Sequence, residues 1–229
     1  MFVGHYAPSF GLRRLSSVPL WALFLAAQFV DVLWAVLVML GIERVRIIPG
    51  YTSASPLALD YMPYSHSLSA TLVWALLVGI LGAAIWDRRG GAVLGACVLA
   101  HWILDLLVHV PDLPLVGNQH KVGLGLWNDA TLSFVVEAAV LLGMVAVYVQ
   151  GGRRALPVWL FALAMLGMQA SAFILPLPAS STTLAAMALA NYAGLSLVAA
   201  LVERRWGCLL YTSPSPRDGT KDLVCRLLL

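Results

Sequence analysis

GAVLGACVLAHWILDLLVHV, residues 91–110, is a twenty-residue stretch whose only ionisable side chains besides the lone thiol of Cys97 are His101, Asp105 and His109. A helix of that length rises about 30 Å, the thickness of a bilayer's hydrocarbon core. The three polar residues stand at i, i+4 and i+8, so they share one face of an otherwise apolar helix. An ionisable group at hydrocarbon depth costs several kcal/mol and normally faces the interior of a bundle, where it has a role. The stretch therefore predicts a transmembrane helix with one functional stripe.

The rest of the chain agrees with that reading. Of its 229 residues, 61% are hydrophobic and 11% charged, with a mean hydropathy of +0.87. Soluble domains carry about 45–50% apolar and about 25% charged residues. Six stretches are long and apolar enough to cross a bilayer: about 19–41, 67–86, 91–110, 128–149, 156–176 and 182–202. None alternates as a membrane barrel strand would. The expected fold is all-α, a polytopic transmembrane helical bundle forming one integral membrane domain over 1–207. The net charge of +3 gives no reason to expect a nucleic-acid partner; membrane lipids are the expected surroundings. No cleavable signal pattern opens the chain.

The end of the chain reads differently. Residues 208–218, CLLYTSPSPRD, and the final DLVCRLLL resemble a translated sequencing-library adapter. On that reading, 208–229 is a non-native read-through tail and is set aside from the fold. Cys97 is then the one native cysteine, which rules out an internal disulfide and suits a small buried hydrophobe.

Charge sets the expected topology. With six spans, Arg13, Arg14, Arg88, Arg89, Arg153, Arg154, Arg204 and Arg205 gather on one side, against Arg44, Arg46 and Lys121 on the other. The positive-inside rule places the arginine pairs, and both visible ends, in the cytoplasm. The long loops 42–66 and 111–127 then face outward. Trp21, Trp86, Trp127 and Trp206 fall near span ends, as interfacial anchors do. Gly91 and Gly95 form a GxxxG spacing that suits close helix packing.

Other polar residues sit where lipid should forbid them. Asp31 lies midway along the first span, with Gln28 one turn before it, and Glu137 lies near the middle of the fourth. His66 stands in PYSHSL, residues 63–68, where Pro63 suits a helix start. Ser65 and Ser67 can cap that helix or support the imidazole ring. His5 precedes the first span, in a segment that either lies on the membrane or re-enters it. His and Asp spaced by four on a helix can bind one metal ion together. Asp112 and Asp129 read as loop or cap residues, and His120 as a solvated loop residue.

At these positions the chain resembles the YdjM-like family of membrane-bound metal-dependent hydrolases of bacteria. The matching residues are Gly4-His5, Asp31, Ser65-His66-Ser67, and His101 with Asp105. Those proteins have an early Gly-His, an Asp in the first span, an HR…THS motif opening a helix, and a later H…D on a helix. The resemblance covers about residues 4–110. One motif His falls here on Tyr61 and the following Arg on Met62; Asp60 is the candidate replacement. The resemblance implies a bacterial inner-membrane protein with a metal-assisted hydrolase site.

The expected function is a membrane-embedded hydrolase with a divalent ion (Zn, Mn or Fe) held by His66, His101, Asp105, Asp31, His5 and His109. Such mixed ligands suit these ions. Asp60 or Glu137 would act as base. A site in the outer half of the bilayer points to a lipid or lipid-linked substrate. Two other readings use the same residues: a proton- or cation-coupled transporter or channel subunit, and a scaffold whose polar groups only join helices.

Overall fold

The computed structural model of the chain describes residues 3–150 and 155–206, with backbone alone for 205 and 206. The tail from 208 onward and the Arg153-Arg154 pair lie outside the described residues. The helices are α1 (Ala7–Leu12), α2 (Leu20–Ala27), α3 (Phe29–Met39), α4 (Leu68–Ile85), α5 (Arg88–Val108), α6 (Ala130–Val149), α7 (Leu156–Ser171) and α8 (Ser181–Trp206). The result is an all-α bundle. Its longer helices start where side chains satisfy the free amides of a first turn. Ser67 accepts from the Ala70 amide, Asp87 from Gly90 and Asp129 from Leu132. Pro63 lies ahead of α4, and its carbonyl accepts from the Ser67 hydroxyl at 2.8 Å.

Four helices, α4, α5, α6 and α8, are each long and apolar enough to cross a membrane. Leu72, Leu76, Leu77, Ile80 and Leu81 of α4 all face outward, an arrangement that only lipid makes favourable. The predicted first span is a bent pair: α2 and α3 meet at Gln28 at 54°, and together they are long and apolar enough for a fifth crossing. The predicted fifth span, 156–176, is shorter than expected. Its helix stops at Ser171 because Pro176 and Pro178 remove amide donors and push the preceding residues out of helical conformation.

Two loop segments are more ordered than hydropathy suggests. The 42–66 loop holds an antiparallel hairpin, β1 (Arg44–Ile47) with β2 (Leu57–Tyr61). Val45, Leu59 and Met62 pack on Trp34, Val38 and Ala185, capping the C-terminal end of α3 and the N-terminal end of α8. The 109–127 loop closes on the end of α5. The Leu124 amide donates to the Leu106 carbonyl, and Gly125 donates to His109.

At the opposite end, Arg13 pairs with Glu203 at 2.6 Å, and Glu203 also accepts from the Leu20 amide at 2.7 Å. Arg14 donates to the Val147 carbonyl. The start of α2 and the ends of α6 and α8 are thus tied together on the arginine-rich side.

Residues 3–15 settle the placement of His5. The 3-10 turn Val3–Tyr6, α1 and the turn Arg13–Leu15 re-enter the bundle against α2, α5 and α6. Phe10 packs edge-on to Phe24 and to Tyr148, burying the segment. Cys97 is a free buried thiol in the α2–α5 core, as expected.

The α4–α5 seam depends on small residues. A Cβ at Gly91 would collide with the Gly79 carbonyl and the Ala83 backbone, and one at Gly95 would come within 2.8 Å of the Ala75 carbonyl. Gly91→Ala should separate α4 from α5 and destabilise the protein by about 1–3 kcal/mol. Thermal unfolding in detergent tests this; an unchanged midpoint would contradict the packing.

Candidate metal centre

Four parts of the chain bring six polar residues to one place. His5 comes from the N-terminal turn, Asp31 from α3, and His66 from the turn before α4. His101 and Asp105 come from α5, and His109 from its C-terminal cap. His5, His66, His101, Asp105 and His109 are all buried, and Asp31 is the most open, with 16% of its side chain accessible.

The helix break at Gln28 has a chemical consequence. In an unbroken helix the Ala27 carbonyl would accept the Asp31 amide. At the break it accepts His101 Nδ1–H instead, at 2.7 Å. A carbonyl only accepts, so Nδ1 carries a proton, and in the neutral ring Nε2 presents a lone pair. That Nε2 lies 3.2 Å from Asp105 Oδ2 and 3.6 Å from Asp31 Oδ1, and makes no hydrogen bond.

His66 is held the same way. Glu43 accepts from the Tyr64 and Ser65 amides, both at 2.9 Å, and from the Ser65 hydroxyl at 2.5 Å. Having donated its hydrogen to Glu43, the Ser65 hydroxyl accepts from His66 Nδ1 at 2.8 Å. His66 Nε2 then turns its lone pair to Asp31 Oδ1 at 3.2 Å and Asp105 Oδ2 at 3.8 Å. Trp102 fixes the backbone here, donating from Nε1 to the His66 carbonyl. Tyr192 of α8 donates to Asp31 Oδ2 at 2.8 Å, which orients Oδ1 toward the histidines.

Lone pairs facing carboxylate oxygens repel unless a proton or a metal cation lies between them. Ligand atoms around a tetrahedral ion with bonds of about 2.0–2.1 Å stand roughly 3.3–3.4 Å apart, and the four separations above run from 3.2 to 3.8 Å. Asp31, His66 and His101 form one group whose ligand atoms all lie within 4.8 Å of one another, and His5, His101 and Asp105 form another. These buried groups are placed to hold a metal ion.

The remaining expected residues divide. His5 stacks on His101 with ring centroids 3.8 Å apart, and its Nε2 lies 3.0 Å from Asp105 Oδ1. His109 Nε2 is 3.7 Å from the same oxygen. Glu137 is buried and accepts from the Gly4 amide at 3.3 Å, next to His5 in the chain. Asp60 is engaged elsewhere, in a two-pronged pair with Arg46 across the hairpin at 2.6 and 2.8 Å. That hydrogen-bonded guanidinium holds the Asp60 carboxyl below its usual range.

Glu43, Asp112 and Tyr192 were not singled out from the sequence as part of a site. Asp112, read as a loop residue, meets His109 Nδ1 at 3.0 Å. Glu43 sits in GIERVR, residues 41–46, where nothing in the local pattern marks it. Tyr192 was hidden in an apolar helix, and one hydroxyl among its neighbours was the available signal.

No protein-family model, curated protein or solved structure matches the chain. The site is therefore argued from its own geometry. Ser65→Ala removes the hydroxyl between Glu43 and His66 without touching a ligand atom. It should weaken divalent-ion binding about 10–100-fold, the usual cost of losing an outer partner, while melting stays near wild type. Titration with Zn²⁺ checks this, and undiminished affinity would count against His66 as a ligand.

Proposed function

We propose that this chain is a membrane-embedded, metal-dependent hydrolase that acts on lipid or lipid-linked substrates. The observation that carries the reading is the fixed tautomer of His66 and His101. Both rings have Nδ1 committed to an acceptor and Nε2 turned to Asp31 and Asp105. A divalent ion held by these residues would supply Lewis acidity, polarising a carbonyl or phosphoryl oxygen and easing deprotonation of water. Ligands of this kind suit Zn²⁺, Mn²⁺ or Fe²⁺.

The chain's own groups then have distinct tasks. Asp31 and Asp105 supply negative charge and bind. Ser65, Glu43 and the Ala27 carbonyl orient the rings. We assign Glu137 as the proton acceptor, because it is buried and belongs to neither ligand group. Asp60 is the poorer base, since Arg46 stabilises its charged form.

Depth supports an amphiphilic substrate. His101 is thirteen residues into α5 from Arg88, about 20 Å along the axis at 1.5 Å per residue. With the arginine end in the cytoplasm, this puts the site in the outer half of the bilayer. The 172–180 connection at that outer end exposes Phe173, Ile174, Leu175 and Leu177, with Ile174 84% accessible. Such a loop sits naturally among lipid tails. The motif resemblance to YdjM-like proteins suggests a bacterial inner membrane as the setting.

A transport role fits less well. Between the cluster and the arginine-rich end lie two apolar cores, one around Phe10, Phe24 and Phe161 and another around Leu94, Cys97 and Val98.

Metal analysis of the purified protein against His66→Ala and His101→Ala should show metal in the wild type and its loss in both variants. Equal content in all three would sink the site. Chelator-sensitive hydrolysis of acyl-chain carboxylic esters or phosphoesters in mixed micelles should accompany it and fall about 100-fold or more in Glu137→Gln. A metal-loaded protein inert toward both ester classes would overturn the hydrolase reading.

A further inference from the structure

Asp105 presents its two oxygens to different pairs of histidines. Oδ2 lies 3.2 Å from His101 Nε2 and 3.8 Å from His66 Nε2. Oδ1 lies 3.0 Å from His5 Nε2 and 3.7 Å from His109 Nε2. One ion cannot serve both sides. His101 belongs to both ligand groups, but with Nδ1 spent on Ala27 it has a single nitrogen to give.

We infer that Asp105 bridges two divalent cations: one held with Asp31, His66 and His101, and a second on its Oδ1 side held with His5 and His109. The inference rests on the metal-centre reading above and deepens it. Three observations favour it.

First, His109 is prepared as a ligand in the manner of His66 and His101. Asp112 Oδ1 lies 3.0 Å from its Nδ1, so that nitrogen carries the proton and Nε2 faces Asp105. Asp112 is itself braced, accepting from the Leu59 amide through its other oxygen. Trp127 lies against the ring and limits its rotation.

Second, His5 is 1% exposed, and neither of its ring nitrogens makes a hydrogen bond. A buried polar atom without a partner costs about 1–3 kcal/mol. The ring stacks on His101 and points Nε2 at Asp105 Oδ1, where a cation would satisfy it.

Third, charge is available on this side. Asp105 shares its charge between both positions, and Glu137, held beside His5 through the Gly4 amide, adds a further buried carboxylate. A carboxylate bridging through both oxygens places two ions about 3.5–4 Å apart, the spacing of two-metal hydrolytic sites. There one ion can position the attacking water and the other the leaving oxygen.

The full chain in detergent, saturated with Zn²⁺ and passed through a desalting column, should retain two equivalents by elemental analysis. Loaded with Mn²⁺, it should show the exchange-coupled spectrum of a close pair by electron paramagnetic resonance. His5→Gln and His109→Gln should each retain one equivalent and show an isolated ion. One equivalent in the wild type would overturn the bridge while leaving the single-ion site standing. None would overturn both. Two uncoupled ions, or two coupled ions retained by both variants, would place the second ion elsewhere and also refute the inference. The wild-type stoichiometry and spectrum decide the matter even if a variant fails to fold.

Discussion

Two carboxylates at hydrocarbon depth, Asp105 buried and Asp31 mostly so, are the constraint from which the rest of this structure follows. Charged groups in such surroundings are tolerated only when closely compensated. Asp31 and Asp105 are met by imidazole nitrogens, and those nitrogens are turned inward by partners behind each ring. The bend at Gln28 belongs to this scheme. It interrupts the α2–α3 ladder and gives the freed Ala27 carbonyl to His101. A straight span would have kept that carbonyl and left the ring free to flip. A local loss of helical regularity therefore fixes which nitrogen faces the carboxylates.

The 42–66 and 109–127 loops carry the supporting partners, which explains why they are ordered. Glu43 precedes β1, Ser65 follows β2, and Asp112 lies in the loop after α5. These must be held to fractions of an ångström if the rings they orient are to converge. The loops are accordingly cross-tied. The Met62 amide donates to Asn118 Oδ1, Asn118 donates back to the Asp60 carbonyl, and Lys121 Nζ donates to the Leu59 carbonyl at 2.8 Å. The Arg46–Asp60 pair likewise straps one strand of the hairpin to its neighbour.

How much of this could be read in advance depends on how local each signal is. The stripe of His101, Asp105 and His109 was legible because one helical period and one contrast with apolar neighbours define it. The ends of α4, α5, α6 and α8 were legible to within about four residues for the same reason. The break at Gln28 was not, because a hydropathy window averages across it. The hairpin was not, since the alternation Arg44-Val45-Arg46-Ile47 lasts only four residues. His5 was suggested by motif resemblance alone. Glu43, Asp112 and Tyr192 meet His66 (through Ser65), His109 and Asp31 only after distant segments return, and nothing in their neighbours announces that return. The pattern is general for membrane proteins: helices are written locally, whereas the partners that orient a site come from tertiary contacts.

The N-terminal segment links the site's chemistry to its isolation. The same short stretch that carries His5 against Asp105 buries Tyr6 and Phe10 among Phe24, Phe161 and Tyr148. Fully burying one large apolar side chain is worth about 1.5–3 kcal/mol, so this aromatic group anchors the segment firmly, and Arg13 latches its far end to Glu203. Displacing that anchor would carry His5 away from Asp105. The packing of the aromatic core and the geometry of the buried cluster are thus set by one segment, so a substitution in either is felt in the other.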